Sequence, residues 1–182
     1  MRDLSLHILD IAQNSIRAKA KLVEIVIEED AHEDTISLQI IDDGTGMDEE
    51  TMAKVQDPFY TTRTTRKVGL GIPLLAQTAR SCGGDFSINS GPRHGTAIKA
   101  VFIKSHIDML PMGNMADTMV SLVAVNPNVD FVFKHKTIKC EFCFDTRDVK
   151  ATLEDIPITL PTVLDWIREY IEQGLSKTCG GV

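Results

Sequence analysis

Asp10 and Asn14 stand four residues apart near the start of the chain, a spacing that sets both side chains on one face of a helix. A carboxylate beside an amide oxygen can accept a proton or hold a hard cation. Asp42-Asp-Gly44-Thr-Gly46 follows an alternating apolar run, Gly69-Leu70-Gly71 follows a basic, threonine-rich loop, and Gly95-Thr96 closes the series. Together these pieces supply an amide for a metal, a carboxylate for the edge of a base, and glycine hinges around phosphates. That is the chemistry of an ATP site. It is not of the P-loop kind, because Gly-x-x-x-x-Gly-Lys-[Ser/Thr] occurs nowhere in the chain.

The elements that must position these groups follow from periodicity. In the first helix, which Asp3 is placed to cap, His7, Asp10, Asn14 and Arg17 fall within a stripe about 80° wide. Leu4, Leu6, Ile8, Leu9, Ile11, Ala12, Ser15 and Ile16 cover most of the remainder. Such a helix is expected to be largely buried, its polar stripe facing a cleft or a ligand; the plainer reading is a face that meets water. Two strands follow, Lys21 to Glu29 and Thr35 to Asp42. In the second, Ile36, Leu38, Ile40 and Asp42 share the apolar face. Asp42 therefore points inward and needs hydrogen-bond donors, for which an adenine amino group is suited. The alternative is an ordinary Asp-Asp-Gly turn ending a strand.

Tyr60-Thr61-Thr62-Arg63-Thr-Thr-Arg66-Lys67 places three cations and four threonine hydroxyls before a glycine-bounded helix start. Amides at a helix N-terminus favour anions, and Arg and Lys complete a phosphate cradle. Arg17, one turn beyond Asn14, is expected to reach phosphate as well.

These motifs resemble the ATPase domain shared by sensor histidine kinases, anti-sigma-factor serine kinases, gyrase B, mismatch-repair ATPases and heat-shock chaperones. The resemblance runs over residues 4 to 104. It implies that Asn14 coordinates magnesium and that Asp42 binds the adenine amino group, with Gly44, Gly46 and Met47 beside the ring. Asp57-Pro-Phe59-Tyr-Thr61-Thr62 resembles the box that precedes the nucleotide lid, and Gly69-Leu70-Gly71 the second glycine box under the phosphates. Gly83 to Gly91 with Gly95-Thr96 resembles the closing hairpin, whose threonine helps hold adenine through water. Nine residues separate Phe59 from Gly69, a short lid like those of histidine and anti-sigma kinases. The chain begins almost at the Asn-bearing helix, so the expectation is a stand-alone protein without a phosphoacceptor domain. Asp10 stands where relatives that hydrolyse ATP or phosphorylate serine carry Glu. It is one methylene shorter, either a general base working through a water or a group that only orders Asn14 and the metal's waters.

The bulk composition is permissive. With 182 residues, 43% hydrophobic and 25% charged, the chain reads as an ordinary globule. A formal charge of −7 argues against a nucleic-acid or anionic-membrane surface. No apolar run is long enough to span a bilayer and no signal peptide opens the chain, so the expected location is cytoplasmic. Cys82, Cys140, Cys143 and Cys179 are then expected to be free thiols.

Residues 1–104 are read as the ATP-binding domain and 105–182 as a C-terminal extension. Ser105 to Met119 reads as a linker with a short helix, Asp130–Lys134 and Thr137–Phe144 as a hairpin, and Leu160 onward as an amphipathic helix ending near Gly174. Cys140 and Cys143 read as two strand cysteines, since residues three apart on a strand face opposite sides and make no chelate.

The expected fold is an α/β (α+β) two-layer sandwich: a mixed, mostly antiparallel sheet with helices on one face, plus the small hairpin and helix of the extension. The expected cofactors are ATP and magnesium. The favoured function is an ATPase or protein kinase acting on a protein partner; a nucleotide-sensing module and a cysteine-based metal or redox adaptor are the alternatives. Resemblance to stand-alone proteins encoded near iron-hydrogenase subunits is the only family context for that partner, with signalling the other option, and a homodimer is compatible with the reading.

Overall fold

The computed structural model describes residues 2–55 and 71–179. The helices are α1 (Leu4–Arg17), α2 (Glu49–Lys54), α3 (Gly71–Ser81), α4 (Met115–Val125), α5 (Thr146–Leu153) and α6 (Pro161–Cys179). The strands are β1 (Leu22–Asp30), β2 (Thr35–Asp42), β3 (Asp85–Ser90), β4 (Thr96–Ile103), β5 (Asp130–Thr137) and β6 (Glu141–Asp145). The strands form one sheet in the order β3-β4-β2-β1-β5-β6. Among the described residues, only the β1–β5 pairing is parallel; the rest are antiparallel.

Alternation builds the core. Val23, Ile25 and Ile27 of β1 and Ile36, Leu38 and Ile40 of β2 are buried together with Leu4, Ile8, Ile11 and Ala12 of α1. Helix α1 packs against α3 on one side and α4 on the other, and α4 in turn packs against α6. Asp3 caps α1 as its position suggests, its Oδ1 accepting from Leu6 N at 3.0 Å. Two further donors of that first turn, the N–H groups of Leu4 and Ser5, reach Pro111 O and Met112 O, each at 3.0 Å. The segment expected to be a linker therefore completes the α1 terminus that a helix cannot satisfy by itself.

Strands β5 and β6, from the extension expected after residue 104, are hydrogen-bonded into the same sheet through β1. The expected hairpin forms, with Cys140 in the turn before β6 rather than on the strand. The short helix expected in the linker starts at Met115, where Asn114 caps it, and runs beyond the expected segment to Val125. Helix α6 does not stop at Gly174. A Cβ at that position would lie 2.1 Å from Cε2 of Phe142, so this glycine serves close packing inside the helix rather than termination. His135, fully buried on β5, joins Glu29 of β1 (2.9 Å) to Thr178 of α6 (2.8 Å). Among the described residues, no helix is long and apolar enough to cross a membrane.

Candidate functional site

The inward carboxylate that the β2 pattern demands is present: Asp42 is only 8% exposed at the end of the strand. The protein already supplies two donors to it. Ser15 Oγ donates to Oδ2 at 2.6 Å, and Gly44 N donates to Oδ1 at 2.9 Å. Ser15 belongs to the face of α1 read as mostly apolar, and its role was missed. The available signal was a lone hydroxyl on a buried helix face, one residue after Asn14. Each carboxylate oxygen carries one bond from the protein, so lone pairs remain for a ligand's amine.

Three strand ends converge here. Thr96 of β4 pairs in register with Asp42 of β2 and with Ser90 of β3. Ser90 Oγ receives the Met47 N–H (2.9 Å), donates to Gly95 O (2.7 Å) and lies 3.0 Å from Thr96 Oγ1. Ser90 was another residue the motif reading passed over. The loops interlock closely. Gly46 (φ 66°) and Gly95 (φ 69°) have backbone conformations that side chains disfavour. A Cβ on Gly46 would lie 1.9 Å from Gly91 O, and one on Gly95 1.8 Å from Asp42 O. Gly44 is held near α1, where Thr45 N donates to Ala18 O at 2.8 Å. Asp42, Gly44, Gly46, Met47 and Thr96 thus form one corner.

The polar stripe of α1 runs beside it. Asp10 and Asn14 are half-buried and Arg17 is exposed. Arg17 donates from Nη1 to Asn14 Oδ1 at 3.1 Å, so in this arrangement it holds the amide oxygen. Asp10 Oδ2 lies against Gly71, the first residue of α3: a Cβ there would be 1.9 Å away. A side chain at this position would have to displace the Asp10 carboxylate. His7 departs from expectation. It lies at the buried end of the stripe, 1% exposed, with neither ring nitrogen hydrogen-bonded. Burial lowers its pKa to about 4, outweighing the opposing pull of Asp10 and Asp3.

Phe59, Thr61, Thr62, Arg63, Arg66, Lys67, Gly69 and Leu70 lie outside the described residues. Among the described side chains, Cys82, Cys140 and Cys143 are free thiols, and no group of three or more His, Cys, Asp or Glu residues could hold a metal.

With this geometry in place, comparison with known proteins identifies the family. Residues 2–106 match the histidine kinase-, DNA gyrase B- and HSP90-like ATPase family, and the chain belongs to it. Curated relatives include sensor protein kinase FleS of Pseudomonas aeruginosa, 34% identical over 89 residues, which are 49% of this chain and 22% of FleS. Sensor histidine kinase YvrG of Bacillus subtilis is 30% identical over 95 residues, 50% of this chain and 16% of that protein. The chain therefore spans less than a quarter of the length of these two relatives. Among solved structures, the Aquifex aeolicus MutL ATPase domain complexed with ADP aligns with a TM-score of 0.51 at 14% identity, covering 85% of this chain and 70% of that one. The N-terminal domain of a DNA repair protein aligns with a TM-score of 0.54 at 15% identity, over 79% and 52%. These two likenesses concern the fold.

Proposed function

We propose that this protein binds ATP with magnesium in the corner between α1 and the ends of β2, β3 and β4, and that it transfers or hydrolyses the terminal phosphoryl group in acting on a protein partner. The observation that carries the reading is Asp42. It is a buried all-acceptor group, oriented by Ser15 and Gly44 N, with lone pairs left for an exocyclic amine. The donor chemistry fits the cofactors: Asp42 suits adenine, and the oxygens of Asn14 and Asp10 suit a hard cation.

In this reading, bound ATP supplies a transferable phosphoryl group and magnesium offsets its charge. Asp42 selects the base. Asn14 would hold the cation through its Oδ1 once Arg17 released that oxygen, and Arg17 would then be free to turn toward phosphate. Asp10, beside the N-terminus of α3, takes the proton from the attacking hydroxyl or water. Thr96 and Ser90 fix the far wall of the base site.

The test is calorimetry with ATP, ADP and GTP in magnesium. ATP and ADP are expected to bind and GTP to fail, and Asp42→Asn is expected to weaken ATP by about 1.5–3 kcal/mol. GTP binding as tightly as ATP would refute the assignment of Asp42. A second reading, a module that senses nucleotide without useful turnover, draws on the short Asp10 side chain and its close seat against Gly71.

A further inference from the structure

The sheet ends on β6, and among the described residues no strand pairs with its outer edge. The N–H of Thr137 donates to Cys140 O across the closing turn. Antiparallel bonding alternates from there, so Phe142 and Phe144 bond to β5. The N–H and C=O groups of Glu141 and Cys143 and the N–H of Asp145 therefore point away from the sheet, while the C=O of Asp145, the N-cap of α5, is turned into that helix. Beside this edge, on the side where α6 packs, lies a cavity of about 490 Å³ whose walls include Phe144, Val149, Leu153, Val163, Trp166 and Tyr170. Trp166 and Tyr170 stack at 5.2 Å and remain 49% and 41% exposed. An unpaired strand edge and an apolar trough beside it are independent features, and together they fit an added strand.

The charges indicate what kind of strand. Glu141 and Asp148 are exposed and have no ion pair among the described residues, and Asp145 also lines the trough. Asp145 is paired with Arg147 at 2.6 Å, and Lys134 on the neighbouring strand also acts on its charge. A second copy is a poor match. Pairing β6 with itself about its middle residue, Cys143, would set Glu141 opposite Asp145 at both ends, and like charges opposed across strands destabilise.

We propose that β6 is a docking edge for an extended basic segment of a partner protein. That segment alternates apolar residues, which lie opposite Phe142 and Phe144 and enter the trough, with Lys or Arg opposite Glu141 and Asp145. This proposal stands independently of nucleotide binding at the distant corner.

The test uses the full chain and fluorescein-labelled peptides of alternating Val and Lys, alternating Val and Glu, and the Val–Lys composition interrupted by proline. The Val–Lys peptide is expected to bind at micromolar concentration and at least tenfold more tightly than the other two. Trp166→Ala and Asp148→Lys, each checked for an unchanged circular dichroism spectrum, are expected to weaken it at least fivefold. Hydrogen exchange is expected to slow at the amides of Glu141, Cys143 and Asp145 when the Val–Lys peptide is bound. Equal binding of all three peptides, no protection at those three amides, or no effect of either variant would overturn the proposal. Self-association in sedimentation that Trp166→Ala abolishes would also overturn it, by showing that a second copy covers the edge.

Discussion

Replacing His7 with leucine is expected to stabilise the protein, and to do so more strongly in acid. The imidazole is 1% exposed and neither nitrogen has a hydrogen-bond partner, so at neutral pH two polar atoms are buried without compensation. An unsatisfied buried group costs about 1–3 kcal/mol, and an apolar side chain of similar size removes that cost. The pH dependence has a definite sign. The folded pKa is about 4, below the unfolded value of 6.5, so between these values the unfolded chain takes up a proton that the folded one refuses. Stability therefore falls as pH drops through this window. With those two pKa values, linkage gives a loss of about 2 kcal/mol at pH 5 relative to pH 7. Urea unfolding of wild type and His7→Leu at both pH values isolates the effect, because every other titrating group is common to the two proteins. The leucine variant should be the more stable at pH 7, and its margin should widen by about 2 kcal/mol at pH 5. A margin independent of pH, or a variant less stable than wild type, would show that His7 has a partner in solution and would refute the argument.

Asn14→Ala is expected to weaken ATP binding far more in magnesium than in EDTA, by calorimetry, since in the proposed reading its amide oxygen serves the cation and not the base. Asp10→Asn is expected to lower ATP hydrolysis about 10²–10⁴-fold in a radiolabelled-ATP assay if Asp10 is the base; unchanged slow turnover would favour the sensing module. Gly174→Ala gains up to about 1 kcal/mol of helix propensity but forces a methyl into the Phe142 ring. The net expectation is a loss of about 1–2 kcal/mol in urea unfolding, with ATP affinity unchanged.

Several features were legible in the sequence because they depend on local rules. The two-residue period of β2 alone places Asp42 among Ile36, Leu38 and Ile40, and the structure buries it there. Gly46 and Gly95 stand where their loops need positive φ, and Asp3 stands one residue before the first helical turn. What local rules could not supply is the identity of a side chain's neighbours. Ser15 looked like filler on an apolar face until α1 was laid across β2 and its hydroxyl met Asp42, 27 residues away. His7 looked like part of a solvated stripe, but its end of α1 is buried in the fold. Gly174 resembled a helix stop because periodicity sees only the helix, whereas the ring that excludes a Cβ belongs to a strand 32 residues earlier. The parallel docking of β5 on β1 likewise depends on a long connection whose path no local pattern encodes. Periods and turn chemistry are properties of neighbouring residues and travel with the sequence. Satisfaction of buried polar groups, close approach and strand order depend on pairs distant in the chain, and only the packed tertiary structure decides them.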